Sequence, residues 1–174
     1  MSTQFRVFFN LALFCGMRRG ELIALEWSDL DFAASSVSVT KSSSAVDGQI
    51  ITKAPKTAAG IRVISVPASV MAMVKQYRKE WIEYRLSLGS AWEGTNHVFI
   101  QWNGRQMYPS TPYNMFKKIL RWYNADHPAD PLPDIPLHGL RHPYVKPTTK
   151  KFASFLKFFR AAAIAARSCS IRYS

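Results

Sequence analysis

Two short clusters in this 174-residue chain combine residue types suited to chemistry at a phosphate. They are Gly16-Met17-Arg18-Arg19-Gly20-Glu21-Leu22 and Leu137-His138-Gly139-Leu140-Arg141-His142. His138 and Arg141 are three residues apart, so on a helix they share one face. A guanidinium fork pairs two phosphate oxygens, and an imidazole beside it gives or takes a proton near neutral pH. The same spacing also fits a solvated helix face, and Arg18 has an equally simple use as a partner for Glu21, three residues on. Lys56, in Pro55-Lys56-Thr57, is a further cation that spacing alone leaves as an exposed loop lysine.

The elements that must position these groups follow from the hydrophobic pattern. Phe5, Phe8, Phe9, Ala12 and Leu13 fall on one face of a helix over 4–14, stopped at Gly16. A second helix runs over 19–25, with Glu21 favourable near its start. Trp27–Asp31 reads as a turn, and Ser36–Thr40 alternates as a half-buried strand does. Ile50–Lys53 and Ile61–Val66 read as two more strands joined through Lys56–Gly60. Val70, Met73, Val74, Tyr77, Trp81, Tyr84 and Arg85 predict one long helix over 68–88. Val98–Gln101 reads as a short strand and Thr111–Asn124 as another helix. A proline-rich loop over 126–136 then leads to a helix opening at His138. Trp27, Trp81 and Trp102 read as core or partner-surface aromatics rather than base-stacking platforms. The expected fold class is α+β, mainly α, with a small antiparallel sheet.

Composition narrows the partner. Hydrophobic residues make up 48% and charged residues 20%, with only 8 Gly and 10 Pro, which excludes wholesale disorder and collagen-like sequence. Lys and Arg number 23 against 11 Asp and Glu, a formal charge of +12 that calls for a polyanion. Nucleic acid is the first reading and an anionic membrane surface the second. The apolar run Val7–Met17 is broken by Asn10 and has about half the ~20 residues of a spanning helix, so no membrane span is expected. Cys15 and Cys169 lack metal spacing and fit reduced cytosolic thiols.

Together the pieces resemble the tyrosine recombinases, the phage-integrase family. Gly-Met-Arg-Arg-Gly-Glu-Leu with Leu25-Glu26-Trp27-Ser28-Asp29-Leu30-Asp31 is similar to that family's first box. Pro55-Lys56-Thr57 with Ile61-Arg62-Val63-Ile64-Ser65-Val66-Pro67 resembles its β-hairpin lysine segment, and Leu137–His142 its His-x-x-Arg box. The resemblance implies the family's catalytic-domain fold over roughly residues 5–142. It implies DNA strand breakage and rejoining through a 3′-phosphotyrosyl intermediate, with no metal or nucleotide cofactor. By the same resemblance Arg18 and Arg141 clamp the non-bridging phosphate oxygens, with Arg19 the alternative to Arg18. Lys56 protonates the leaving oxygen and His138 assists proton transfer. Arg18, Lys56 and Arg141 are the implied DNA contacts. The implied partners are double-stranded DNA and further recombinase protomers on it, in the cytoplasm at the nucleoid.

The resemblance also has edges. It begins near residue 1, so the family's preceding DNA-clamping domain is expected to be missing. After His142 the family pattern stops at Pro143-Tyr144-Val145-Lys146-Pro147, and no Gly-His pair follows Gly139. The last acid is Asp134, so residues 143–174 carry +7 of the total +12. Shifted by one nucleotide, possible codons for 143–151 can encode His-Thr-Ser-Asn-Leu-Leu-Leu-Lys, close to the family's continuation. The chain is therefore expected to divide into a partial catalytic domain, 1–142, and a basic frameshift-derived tail, 143–174, without the domain's normal C-terminal helices. Tyr173 lies 32 residues past Arg141, near the family nucleophile's place, but lacks its flanks; Tyr144 follows the His-x-x-Arg box too closely. The expectation is a defective recombinase; the alternative is a non-enzymatic DNA-binding module. A membrane-surface role for Phe152–Ala166, where Phe152, Phe155, Leu156 and Phe159 recur at helical spacing, is a third reading.

Overall fold

The computed structural model describes residues 2–54, 60–132, 134, 136 and 137. The first helix, α1 (Thr3–Phe14), buries Phe5, Val7, Phe8, Phe9, Leu11 and Ala12. Apolar residues occupy more than one stripe of this helix, and it is accordingly packed on several sides. It ends where Cys15 caps through its N–H on Leu11 O (3.1 Å) and Gly16 turns to φ +60°, a left-handed position that glycine takes without a Cβ penalty. The short α2 (Arg19–Ala24) follows, then a 3-10 turn at Trp27–Asp29 and the brief strand β1 (Leu30–Asp31).

Among the described residues two antiparallel sheets form, where the sequence suggested one. β2 (Ser36–Val39) lies between β1 and β5 (Arg62–Ser65). β3 (Ser42–Val46) pairs with β4 (Gln49–Lys53), in register Ser42↔Lys53 to Val46↔Gln49. The strands on either side of Lys56 are thus not each other's partners. The element the hydrophobic pattern missed is β3, a Ser-rich strand whose side chains are mostly exposed. Its signal is chemical: Asp47 and Gly48 both take positive φ (48° and 77°), the two-residue hairpin turn that Asp-Gly favours.

The long α3 (Ala68–Leu88) buries Val70, Met71, Val74, Tyr77 and Trp81, and α4 (Thr111–Asp126) buries Phe116, Ile119, Leu120 and Tyr123. Both helices pack against α1. Phe8 meets Phe9 and Phe99 edge-on, with ring centroids 5.7 and 4.9 Å apart, and Phe9 reaches Phe116 of α4. Trp27 and Trp81 are core residues, 5.7 Å apart in a T-shaped pair. Trp102 is not: it stands 73% exposed.

Val98–Gln101 forms no strand. Its pairing is confined to isolated bridges, Glu26↔His97 and Ile100↔Gln106. Backbone and side chains hold the segment together: Val98 N–H donates to Leu25 O (2.8 Å), Met107 N–H to Phe99 O (2.9 Å) and Gln101 N–H to Arg105 O (2.7 Å), while Ile100 N–H donates to Gln4 Oε1 (2.8 Å), Gln4 Nε2 to Ile100 O (3.1 Å), and the Tyr77 hydroxyl to Val98 O (2.7 Å). Val98, Phe99 and Ile100 are all buried, which gives the pattern of a strand, but the scattered bridges do not join into a ladder.

Candidate functional site

A cavity of about 520 Å³ opens where α1, the start of α2, β3, α4 and residues 136–137 meet. Phe8, Ala12, Met17 and Leu22 make its apolar side, while Arg18, Arg19, Gly20, Ser42, Tyr113, Pro136 and Leu137 complete the lining. Arg18 takes the N-cap position of α2 in extended backbone (φ −73°, ψ 151°). Its N–H donates to Glu21 Oε2 (2.7 Å) and its Nη1 donates to Glu21 Oε1 (2.9 Å). Glu21 thereby satisfies an otherwise orphaned helix-end N–H, as the acidic half of a capping box does. Arg18 pairs with Glu21, yet its side chain stays 61% exposed at the cavity rim.

Glu21 itself is buried and has a second partner. Arg62, on β5, donates Nη1 to Oε1 (3.0 Å) and Nη2 to Oε2 (2.8 Å), a two-pronged pairing. Burial raises the proton affinity of the Glu21 carboxyl, but the hydrogen bonds from Arg62 and Arg18 outweigh it and hold the pKa down at about 2. The carboxylate is therefore ionised at neutral pH. Sequence spacing does not single out Arg62 as part of this corner, because it lies 41 positions from Glu21.

Gly20 sets the depth of this corner. A Cβ there would stand 2.5 Å from Ser42 Oγ and 2.7 Å from Ser43 O, so only glycine lets α2 approach β3 this closely. Gln106 ties the same contact, donating Nε2 to Ile23 O (2.9 Å) and to Ser43 Oγ (2.8 Å). Ser43 Oγ in turn shares a hydrogen bond with Thr52 Oγ1 across the hairpin (2.6 Å).

Of the residues expected to act together, Arg18 is the one whose surroundings are described. Lys56, His138, Arg141 and Tyr173 lie outside the described residues. Leu137, the chain neighbour of His138, is buried and lines the same cavity as Arg18. Among the described residues no cluster of three or more His, Cys, Asp or Glu could hold a metal ion, and no helix is long and apolar enough to cross a membrane. Burial pushes the Cys15 thiol up to about 11, so it stays protonated at neutral pH.

A mainly helical domain with small antiparallel sheets, carrying an arginine at a helix N-cap on a cavity rim, has the catalytic-domain fold of the tyrosine recombinases. The chain belongs to the phage integrase family, whose model matches residues 1–146. It is 28% identical over 143 residues to the ICEBs1 integrase of Bacillus subtilis strain 168, covering 81% of this chain and 36% of that one. It is 29% identical over 151 residues to a XerC-like tyrosine recombinase of Caldanaerobacter subterraneus subsp. tengcongensis, covering 80% and 37%. The chain thus spans little more than a third of the length of these curated relatives.

Among solved structures, the Tn1549 transposon integrase in complex with a circular intermediate DNA aligns at TM-score 0.65 and 24% identity, over 80% of this chain and 44% of that one. The same integrase with transposon right end DNA aligns at 0.67 and 21%, over 94% and 58%. The XerA recombinase aligns at 0.54 and 18%, over 91% and 47%. At these identities the likeness is one of fold.

Proposed function

We propose that this chain binds double-stranded DNA at a phosphodiester and is a remnant, lacking the nucleophile, of the catalytic domain of a site-specific recombinase, an enzyme that breaks and rejoins DNA through a phosphotyrosine. The observation that carries this reading is Arg18: a guanidinium anchored on one side by a buried carboxylate and exposed on the other at a cavity rim. In the reaction a tyrosine hydroxyl attacks phosphorus, a 5′-hydroxyl leaves, and an incoming 5′-hydroxyl reverses the step. Negative charge grows on the non-bridging oxygens, where a guanidinium already held in place stabilises it without reorganising. Arg18 takes that role, with Arg141 as its counterpart, Lys56 protonating the leaving oxygen and His138 assisting proton transfer. The relatives' membership of integrases and recombinases, and a net charge of +12, support DNA as the partner, with further protomers on the same DNA. The place of such work is the nucleoid.

The reading includes a division of the chain into a partial catalytic domain, 1–142, and a basic tail, 143–174, that lacks the family's sequence around a nucleophile. A nicked duplex that traps the phosphotyrosyl intermediate tests both halves. The expected outcome is a salt-sensitive gel shift, weakened by Arg18→Ala, with no covalent protein–DNA adduct. An adduct abolished by Tyr173→Phe would make Tyr173 the nucleophile and overturn the account of the tail. Absence of any shift would overturn the DNA reading itself.

A further inference from the structure

Glu21 is shared by two guanidinium groups that arrive from different parts of the fold, Arg18 from the N-cap of α2 and Arg62 from β5. Their treatment of the carboxylate is unequal. Arg62 engages both oxygens and is 29% exposed; Arg18 engages one through its side chain and is 61% exposed. With Glu21 ionised, the three side chains carry one net positive charge, and the exposed part of it is at Arg18, on the cavity rim. We infer that Arg62 is a positioning residue for this site: by taking both Glu21 oxygens it leaves the Arg18 guanidinium held by a single side-chain bond and open to a singly charged phosphodiester. Were Arg62 absent, Arg18 could close its own fork on both Glu21 oxygens, satisfying the buried carboxylate and turning away from the ligand. Arg62 follows Lys56 in the chain by six positions. The ion pair joins the start of β5 to the first turn of α2, where Arg18 is the N-cap.

This inference rests on the proposed contact between Arg18 and DNA phosphate, and a mutant cycle separates the two. Affinity of the full chain for a short fluorescent duplex of arbitrary sequence is measured over a salt series, alongside thermal melting. Arg18→Ala is expected to weaken binding about tenfold, the scale of one charge-assisted contact. Arg62→Lys keeps the charge but loses the planar fork, and is expected to weaken binding about threefold in the native background, half the free energy of one such contact. Combined with Arg18→Ala, Arg62→Lys should weaken it no further, because its effect passes through Arg18. Arg62→Gln should be at least as weak as Arg62→Lys. If Arg18→Ala changes nothing, the phosphate reading fails. If Arg18→Ala weakens binding while Arg62→Lys matches the native chain, the positioning role fails. Additive losses would mean Arg62 touches DNA directly and would also overturn it. A lost melting transition in both Arg62 variants would make Arg62 a residue of the fold alone, and the positioning role would fall with it.

Discussion

Two carboxylate nodes lie eight residues apart in the chain, at Glu21 and Asp29, and use the same local device for different ends. At the first, Glu21 accepts the Arg18 backbone N–H (2.7 Å); at the second, Asp29 accepts the Glu26 backbone N–H (2.9 Å). In each, a carboxylate three residues into a helical turn caps the residue that opens it. The nodes then diverge through their cations. Glu21 is buried and gripped by two guanidinium forks, one of which faces the cavity. Glu26 and Asp29 share the single ammonium of Lys41, at 2.6 and 3.4 Å, and Glu26 also faces His97 Nε2 at 3.8 Å. The forks give direction, because a planar guanidinium that satisfies a carboxylate on one edge presents its other edge outward. The ammonium gives a point charge that pins the start of β3 to the turn before β1 and presents no edge to a ligand. Site and staple thus differ in the geometry of the cation more than in the acid.

The sharpest way to break the first node without touching its charges is Gly20→Val. The new side chain would have to displace Ser43 backbone as well as Ser42, so α2 and β3 must part; the expected cost is about 3 kcal/mol, the upper end for overpacking, read by denaturant titration. The Glu26–Lys41 node should keep its pairing. Next in size, Glu21→Ala removes the partner of two cations. Breaking a fully buried pair costs ~3–5 kcal/mol, but Arg62 and Arg18 are 29% and 61% exposed and regain water, so about 2 kcal/mol is expected. Lys41→Met at the other node should cost only about 0.5–1 kcal/mol, as pairs near the surface do. Equal losses from Glu21→Ala and Lys41→Met would erase the distinction between the nodes.

The same contrast explains what the sequence disclosed. The helices were legible because Phe5, Phe8 and Phe9, or Val70, Val74, Tyr77 and Trp81, repeat at helical spacing. Arg18 with Glu21 was legible as a local pair, since three residues suffice to bring them together. Arg62 was hidden, because how near β5 comes to Glu21 is a property of sheet topology. That topology turned on Asp47-Gly48, whose turn chemistry pairs β3 with β4 and sends β5 to β2. Trp102 was open between core and partner surface, because aromatic area alone does not choose between them. The backbone around Gly104, at φ +84° against the Trp92 ring, seats Trp92 against the core and leaves Trp102 outside.

Acid titration offers the most discriminating comparison, because the nodes lose stability in different pH windows. The Glu21 carboxyl is depressed in the fold from an ordinary 4.5 to about 2, so its contribution is complete above 4.5 and disappears as pH falls from there toward 2. His97 is lowered from an ordinary 6.5 by burial, and further by Lys41, while Glu26 and Asp29 pull the other way. The unfolded chain therefore takes the His97 proton first, and stability begins to fall as pH drops through 6.5. The expected profile has a shallow shoulder below 6.5 and a steeper limb below 4.5. His97→Asn should remove the shoulder and keep the limb; Glu21→Gln should lower stability at neutral pH, flatten the limb and keep the shoulder. A native profile level on either side of 6.5 would take His97 out of the second node. A limb unchanged in Glu21→Gln would assign the acid sensitivity to other carboxylates, and with it remove the buried anion from the centre of the first.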